Sequence, residues 1–211
     1  MEVLVPFAAE RPKTRLAEVL GPEDRRAFAD AMLTDVLAAI RGADLSPTLL
    51  TTEPLDRSAD QLVDDRPLTT AVNDVLADRE PSHEDPLGVV MADLALATPE
   101  TVRRLVSEGE TAADLVIAPG LGGGTNALVV RTPEFRVDYH GASVRDHRRI
   151  AADIGVSVRE VDSRRLATDV DDPADLAEVL LHGDGAARDW LRENGFQLDT
   201  GNGRVGVRRE D

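Results

Sequence analysis

Residues 3–42 read VLVPFAAERPKTRLAEVLGPEDRRAFADAMLTDVLAAIRG, and three kinds of patterning follow one another in this stretch. VLVPF (3–7) is a short apolar run closed by a turn, which predicts a buried strand. Gly21-Pro22-Glu23-Asp24 then opens a helix, with proline and two acids in its first turn. Phe28, Met32, Val36 and Ile40 recur at every fourth position, with Leu33 and Leu37 beside them. That is the apolar stripe of an amphipathic helix, and Gly42 ends it. Between strand and helix lies a polar loop, AAERPKTRL. The whole is a strand–loop–helix unit of an α/β protein.

The same alternation continues along the chain. TLLTT (48–52) reads as a strand and LTTAVNDVLAD (68–78) as a helix. PLGVVMADL (86–94) reads as a strand, and TPETVRRLVSEG (98–109) as a helix with a threonine cap and proline in its first turn. DLVIAPG (114–120) and ALVVRT (127–132) are strands on either side of a glycine-rich loop. SVRDHRRIAADIG (143–155) is a helix, VSVREV (156–161) an alternating strand nearer an edge, and DPADLAEVLLHG and DGAARDWLRENG are helices stopped by glycine. The tail GNGRVGVRRED reads as a hairpin or a loose end. Strands alternating with helices predict a mostly parallel sheet covered on both faces, with residues 1–211 as one domain. In such sheets ligands sit beyond the carboxyl ends of the strands, so functional residues are expected just after the apolar runs.

Composition narrows the possibilities. The chain has 211 residues, of which 42% are hydrophobic and only 3% aromatic, so its core must be built from Val, Leu, Ile and Ala. It carries 40 acidic and 24 basic residues, a net charge of −16 spread along the chain. Every basic residue except Lys13 is arginine. Dispersed acidity of this kind fits a protein working in concentrated salt, where self-repulsion is screened within a few ångströms. Nucleic acid is not an expected partner, because no basic face neutralises phosphates. With no cysteine, disulfides, thiolate zinc sites and a cysteine nucleophile are excluded. No apolar run approaches the ~20 residues that cross a bilayer, and the N-terminus does not read as a signal peptide, so a soluble cytoplasmic protein is expected.

Five places carry candidate chemistry. Arg11, Lys13 and Arg15 crowd the loop after the first strand, where cations and backbone amides can converge on phosphate oxygens. A lysine kept where arginine serves everywhere else suggests a need for a compact point charge. The glycine pattern of a Walker loop is absent. Asp93 stands where a buried strand runs out and can hold Mg²⁺ against phosphates. Gly122, Gly123 and Gly124 let the backbone approach a ligand closely, and Thr125 and Asn126 add polar side chains. Ser143 is read as a cap of the following helix, whose N-terminus can receive an anion, with His147 one turn along the same face. Asp169 and Asp171 alternate on an extended segment, face the same way, and either can complete a metal site with Asp93.

In their order along the chain, VPF…KTRL, VVMADLAL, GGTNAL, YHGASVRDH and DVDDPADL resemble the 2-phospho-L-lactate guanylyltransferases of coenzyme F420 biosynthesis, from about Val3 to Leu180. The resemblance implies a three-layer nucleotidyltransferase fold of the glycosyltransferase-A kind, with a mostly parallel mixed sheet. It implies Mg²⁺-dependent transfer of GMP from GTP to 2-phospho-L-lactate, with pyrophosphate released. The product, lactyl-2-diphospho-5′-guanosine, would pass to a phospholactyl transferase, and a homodimer is expected. On this resemblance Lys13 and Arg15 balance the leaving pyrophosphate, and Asp93 with Asp169 or Asp171 holds the metal. Gly123, Gly124, Thr125, Asn126, Ser143 and His147 bind the acceptor. Pro6, Phe7, Arg11, Thr51, Glu53 and Asn73 belong to the nucleotide. Ala95 and Val144 stand where the family often has proline and phenylalanine; phosphoenolpyruvate and 3-phosphoglycerate are the analogous acceptors.

Overall fold

The computed structural model describes residues 1–8, 13–108, 113–201, 203 and 205–210. Among them the strands are Glu2–Phe7 (β1), Ser46–Thr51 (β2), Asp60–Val63 (β3), Leu87–Val90 (β4), Leu115–Pro119 (β5), Thr125–Val130 (β6), Val158–Glu160 (β7), Phe196–Asp199 (β8) and Gly206–Arg209 (β9). The helices are Pro22–Gly42 (α1), Leu68–Arg79 (α2), Pro99–Ser107 (α3), Ser143–Asp153 (α4), Arg164–Ala167 (α5), Asp175–His182 (α6) and Ala186–Glu193 (α7), with a 3₁₀ turn at Thr14–Glu18.

Seven strands form one sheet in the order β3-β2-β1-β4-β6-β5-β7, and β8 pairs with β9 in a separate hairpin. Neighbouring strands run parallel except at β6, which is antiparallel to both β4 and β5. The mostly parallel mixed sheet is therefore as expected, and β7 lies at its edge.

Both faces of the sheet are buried, which is why its strands read as continuous apolar runs. Val3, Val5, Val90, Val116 and Val129 pack beneath α1 and α3. Their neighbours Leu4, Val89, Leu115, Ile117 and Leu128 point the other way, beneath α2 and α4. A third cluster joins Leu16 of the 3₁₀ turn and Leu20 just after it to Phe28 and Met32 of α1, to α6 and α7, and to Phe196. Trp190 of α7 stacks on Phe196 of β8 at 6.4 Å between ring centroids, and Arg209 of β9 pairs with Asp24 of α1 at 3.0 Å, so the terminal hairpin is docked rather than loose.

Three readings need correction. The strand predicted over 86–94 ends at Val90. Beyond it Met91 makes one further bond, donating to the Asn126 carbonyl, and the chain then turns, with Ala97 N donating to Leu94 O. β3 was not foreseen, because Leu62 and Val63 alone give no apolar run. It is held from outside: Gln61 exchanges side-chain hydrogen bonds with the backbone of Leu55. Ser143 does not cap α4, since it is the helix's first residue and the N-cap Ala142 has no side-chain bond.

Among the described residues no helix is long and apolar enough to cross a membrane.

Candidate functional site

β1 ends at Phe7, and Lys13 immediately precedes the 3₁₀ turn as its N-cap. Arg11, expected to help hold a nucleotide, lies outside the described residues. Lys13 adopts a left-handed backbone, φ 55° and ψ 49°. A non-glycine residue pays for that conformation, and such strain gathers at functional sites. Its ammonium donates to Asp93 Oδ2 at 2.6 Å and to Asp171 Oδ1 at 2.8 Å. Burial opposes the charged form of Lys13, but the charges of Asp93 and Asp171 outweigh it and raise its pKa above the ordinary value. Arg15 reaches Asp171 Oδ2 at 2.5 Å from the outside: its side chain is 64% exposed against 11% for Lys13.

The two carboxylates arrive from distant parts of the chain. Asp93 sits in the turn after β4, and its carbonyl receives Val170 N at 3.2 Å, which ties the turn to the segment carrying Asp171. Asp175 fixes that segment from below, its carboxylate accepting the backbone N–H groups of Asp171 and Asp172. Asp169 joins the group from the side. Burial raises its pKa, and the nearby charges of Asp93 and Asp171 add to the rise, against a lowering hydrogen bond from Asn126.

A cleft of about 390 Å³ opens beside Lys13, Asp93 and Asp171. Pro6, Phe7 and Thr51, three of the residues expected to face a nucleotide, line it. Thr52, Asp64 and Arg66 also line it, and sequence reasoning missed them. The signal existed: Asp64 and Arg66 follow β3 as functional residues should follow a strand, but β3 itself was invisible. Thr52 Oγ1 is buried there without a hydrogen-bond partner among the described residues. Glu53 is exposed and takes part through its backbone, hydrogen-bonded to the Thr51 hydroxyl. Asn73 is not in the cleft lining. Its amide clasps the backbone of Val137 in both directions, donating to the carbonyl at 3.0 Å and accepting the N–H at 2.7 Å. This amide, expected at the nucleotide, joins α2 to the segment before α4.

The second half of the site is the β5–β6 hairpin. Gly123, at φ 85°, lets the loop close, with Gly123 N donating to Gly120 O and Gly120 N to Gly124 O. Gly120 has no room for a side chain, because a Cβ there would lie 2.5 Å from Asn126 Oδ1. Asn126 in turn donates to Leu166 O at 2.9 Å and to Asp169 Oδ1 at 3.2 Å, so it links the hairpin to the carboxylates. The start of α4 docks on the loop through Val144 N to Gly123 O. Thr125 N donates to Ser143 Oγ at 3.0 Å, and Thr125 Oγ1 meets His147 Nδ1 at 2.8 Å. The expected acceptor residues are thus brought together, with one revision. His147 is fully buried, so it touches Thr125 and not the surface.

The donor set suits a hard cation: Asp93 Oδ1 is a buried carboxylate oxygen with no hydrogen-bond partner among the described residues, and Asp169 is crowded by like charge. Among the described residues no three carboxylates or imidazoles stand at metal-ligating spacing, and Asp93 and Asp171 converge instead on the Lys13 ammonium.

This chain matches the family model described as "Guanylyl transferase CofC like" over residues 1–210. The chain belongs to the CofC-like guanylyl transferase family. It is 57% identical to the 2-phospho-L-lactate guanylyltransferase of Haloarcula marismortui over 209 residues, 99% of each chain. It is 59% identical to the enzyme of that name from Halorubrum lacusprofundi, covering 100% of both chains. Among solved structures, a Methanothermobacter nucleotidyl transferase superposes with a TM-score of 0.61 at 14% identity, covering 92% of this chain and 98% of that one. A Mycobacterium tuberculosis protein solved as a manganese complex gives a TM-score of 0.50 at 21% identity, covering 85% and 97%. The superposition on the Methanothermobacter protein shows the nucleotidyltransferase-like fold. Lys13 and the carboxylates are the charged part of this candidate site, and the β5–β6 hairpin with the start of α4 is a neutral cluster tied to them through Asn126.

Proposed function

We propose that the protein joins GMP from GTP to 2-phospho-L-lactate in coenzyme F420 biosynthesis. A phosphate oxygen of the acceptor attacks the α-phosphorus of GTP, and the bond from that phosphorus to the bridging oxygen of the β-phosphate breaks. Lactyl-2-diphospho-5′-guanosine forms and pyrophosphate leaves. No protein nucleophile is required, so positioning and charge neutralisation carry the rate. The observation that carries this reading is the Lys13 ammonium, buried at the rim of a nucleotide-sized cleft between two aspartates.

Pro6, Phe7, Thr51 and the newly found Thr52 would seat the nucleoside. Lys13 would turn from the aspartates to the departing pyrophosphate, with Arg15 neutralising it from the solvent side. Asp93 with Asp169 or Asp171 would hold a divalent cation, Mg²⁺ in our reading, which when bound supplies positive charge against the triphosphate. Asn126 would orient Asp169. The backbone of Gly123 and Gly124 and the hydroxyls of Thr125 and Ser143 would receive the acceptor. A homodimer, delivery of the product to a phospholactyl transferase and work in concentrated salt belong to the same reading. The last is supported by a charge of −16 carried with a single lysine.

Pyrophosphate release tests this. GTP, ATP and CTP are crossed with phospholactate, phosphoenolpyruvate and 3-phosphoglycerate in molar KCl with Mg²⁺. GTP with phospholactate is expected to be the best pair. Release from no pair would remove the reading.

A further inference from the structure

The hydrogen bonds around His147 determine where its proton sits. Nε2 receives the backbone N–H of Asp138 at 3.0 Å. A backbone amide only donates, so Nε2 presents a lone pair and the ring is neutral with its proton on Nδ1. Nδ1 lies 2.8 Å from Thr125 Oγ1, and there it donates while the hydroxyl oxygen accepts. The rings of Phe135 and Tyr139 stand edge-on to the imidazole, at 5.9 and 5.2 Å between centroids, and hold its orientation. Burial keeps the ring neutral, lowering its pKa to about 4.

The consequence falls on two hydroxyl protons. Thr125 Oγ1 accepts from His147 and has no further partner among the described residues. Ser143 Oγ accepts from Thr125 N and likewise has none. Thr125 is 3% and Ser143 4% exposed. Each hydroxyl therefore keeps its one proton unspent in a place where an unmatched donor is costly. Such a pair suits a ligand that can only accept, and an anion is that ligand.

We infer that His147 is a positioning residue that fixes Thr125 as a hydrogen-bond donor toward an anionic acceptor substrate. It does so through Thr125 and without touching the substrate, and it thereby selects for acceptors with a phosphate or carboxylate at that point. The inference rests on the proposed function for the identity of the acceptor, whereas the tautomer can be read without substrate.

Two experiments test it. In the first, the substrate-free protein with ¹⁵N-labelled histidine is examined by NMR at neutral pH. His147 is expected as the neutral Nδ1–H tautomer. An Nε2–H tautomer or a doubly protonated ring would overturn the inference, whatever the enzyme's acceptor. The second compares His147→Asn, whose amide can still donate to Thr125, with His147→Asp, of the same size but able only to accept. His147→Asp should raise the acceptor KM roughly 10- to 100-fold, the scale of one charge-assisted hydrogen bond, with the GTP KM and kcat little changed. His147→Asn should restore most of the loss. Repeating both in a Thr125→Val background separates this role from simple charge repulsion. The Asp-over-Asn penalty should shrink there, and an undiminished penalty overturns the inference. Should His147→Asp fail to fold, the tautomer measurement on the unaltered protein still decides. If pyrophosphate release fails for every pair, the functional reading falls; if it succeeds and the tautomer is wrong, only this inference does.

Discussion

The two halves of the site handle charge in opposite ways. Around Lys13, two aspartates meet an ammonium and the Arg15 guanidinium at the rim of the cleft, and opposite formal charges pair at short range. Around Thr125, no formal charge takes part: a neutral imidazole, two hydroxyls and a backbone amide are locked together under cover. The difference matches what each half would face. A triphosphate that breaks apart changes its charge distribution during the reaction, and mobile cations can follow it. An acceptor anion has only to be held still, and fixed dipoles do that without a counter-charge that would blunt its attack.

The largest effect should come from breaking the charged half. Lys13→Ala is expected to leave the fold intact and cut turnover ~10²-fold or more, as loss of a transition-state charge contact does. Steady-state kinetics and thermal melting check this together, and near-normal turnover would refute the role given to Lys13.

Titration should then pull the halves apart, since their pKa shifts have opposite signs. His147 is lowered in the folded protein from 6.5 to about 4, so its neutral network is fully stabilising above about pH 6.5 and fails as pH falls toward 4. The contribution lost is up to roughly 3 kcal/mol, at 1.36 kcal/mol for each pKa unit. Lys13 is raised above 10.5, so its contribution is complete below that value and is lost only as pH climbs through the folded pKa. Denaturant unfolding at several pH values should show the acid loss, and His147→Asn should flatten it.

Two smaller tests sharpen the contrast. Thr125→Val should raise the acceptor KM about 10-fold, the cost of one hydrogen bond to a charged group, and leave the GTP KM alone. A matched rise in both would mean that the halves are not separable. Lys13→Gly and Lys13→Ala both lose the ammonium, but only glycine is at ease at φ 55°. The glycine variant should therefore be the more stable of the two by about 1 kcal/mol in denaturant unfolding, and equally slow.

The same contrast decided what could be read from sequence. Lys13 announced itself by rarity and Asp93 by standing at the end of an apolar run, because both signals are local. His147 sits in SVRDHRRI, a context that looks like a surface helix. Its burial comes from β6 and the segment carrying Phe135 and Tyr139, which no local pattern reveals. The bond from Asn73 to Val137 was likewise hidden, because the two lie 64 residues apart. Asp64 and Arg66 were lost with β3, whose two apolar residues are fewer than a strand signal needs. The alternation of apolar runs and helical stripes was enough for the sheet and its two covering layers.

The reversed strand β6 has an evolutionary side. Because it runs against its neighbours, its first residues, Thr125 and Asn126, arrive at the edge where the parallel strands end, carried by a self-contained hairpin. On the proposed function, exchanging the tip of that hairpin would rewrite the acceptor grip while the lysine and the aspartates stay where they are. Descendants of such a scaffold would then adopt new small phosphorylated partners by swapping one cassette, with the residues assigned to the nucleotide kept as inherited.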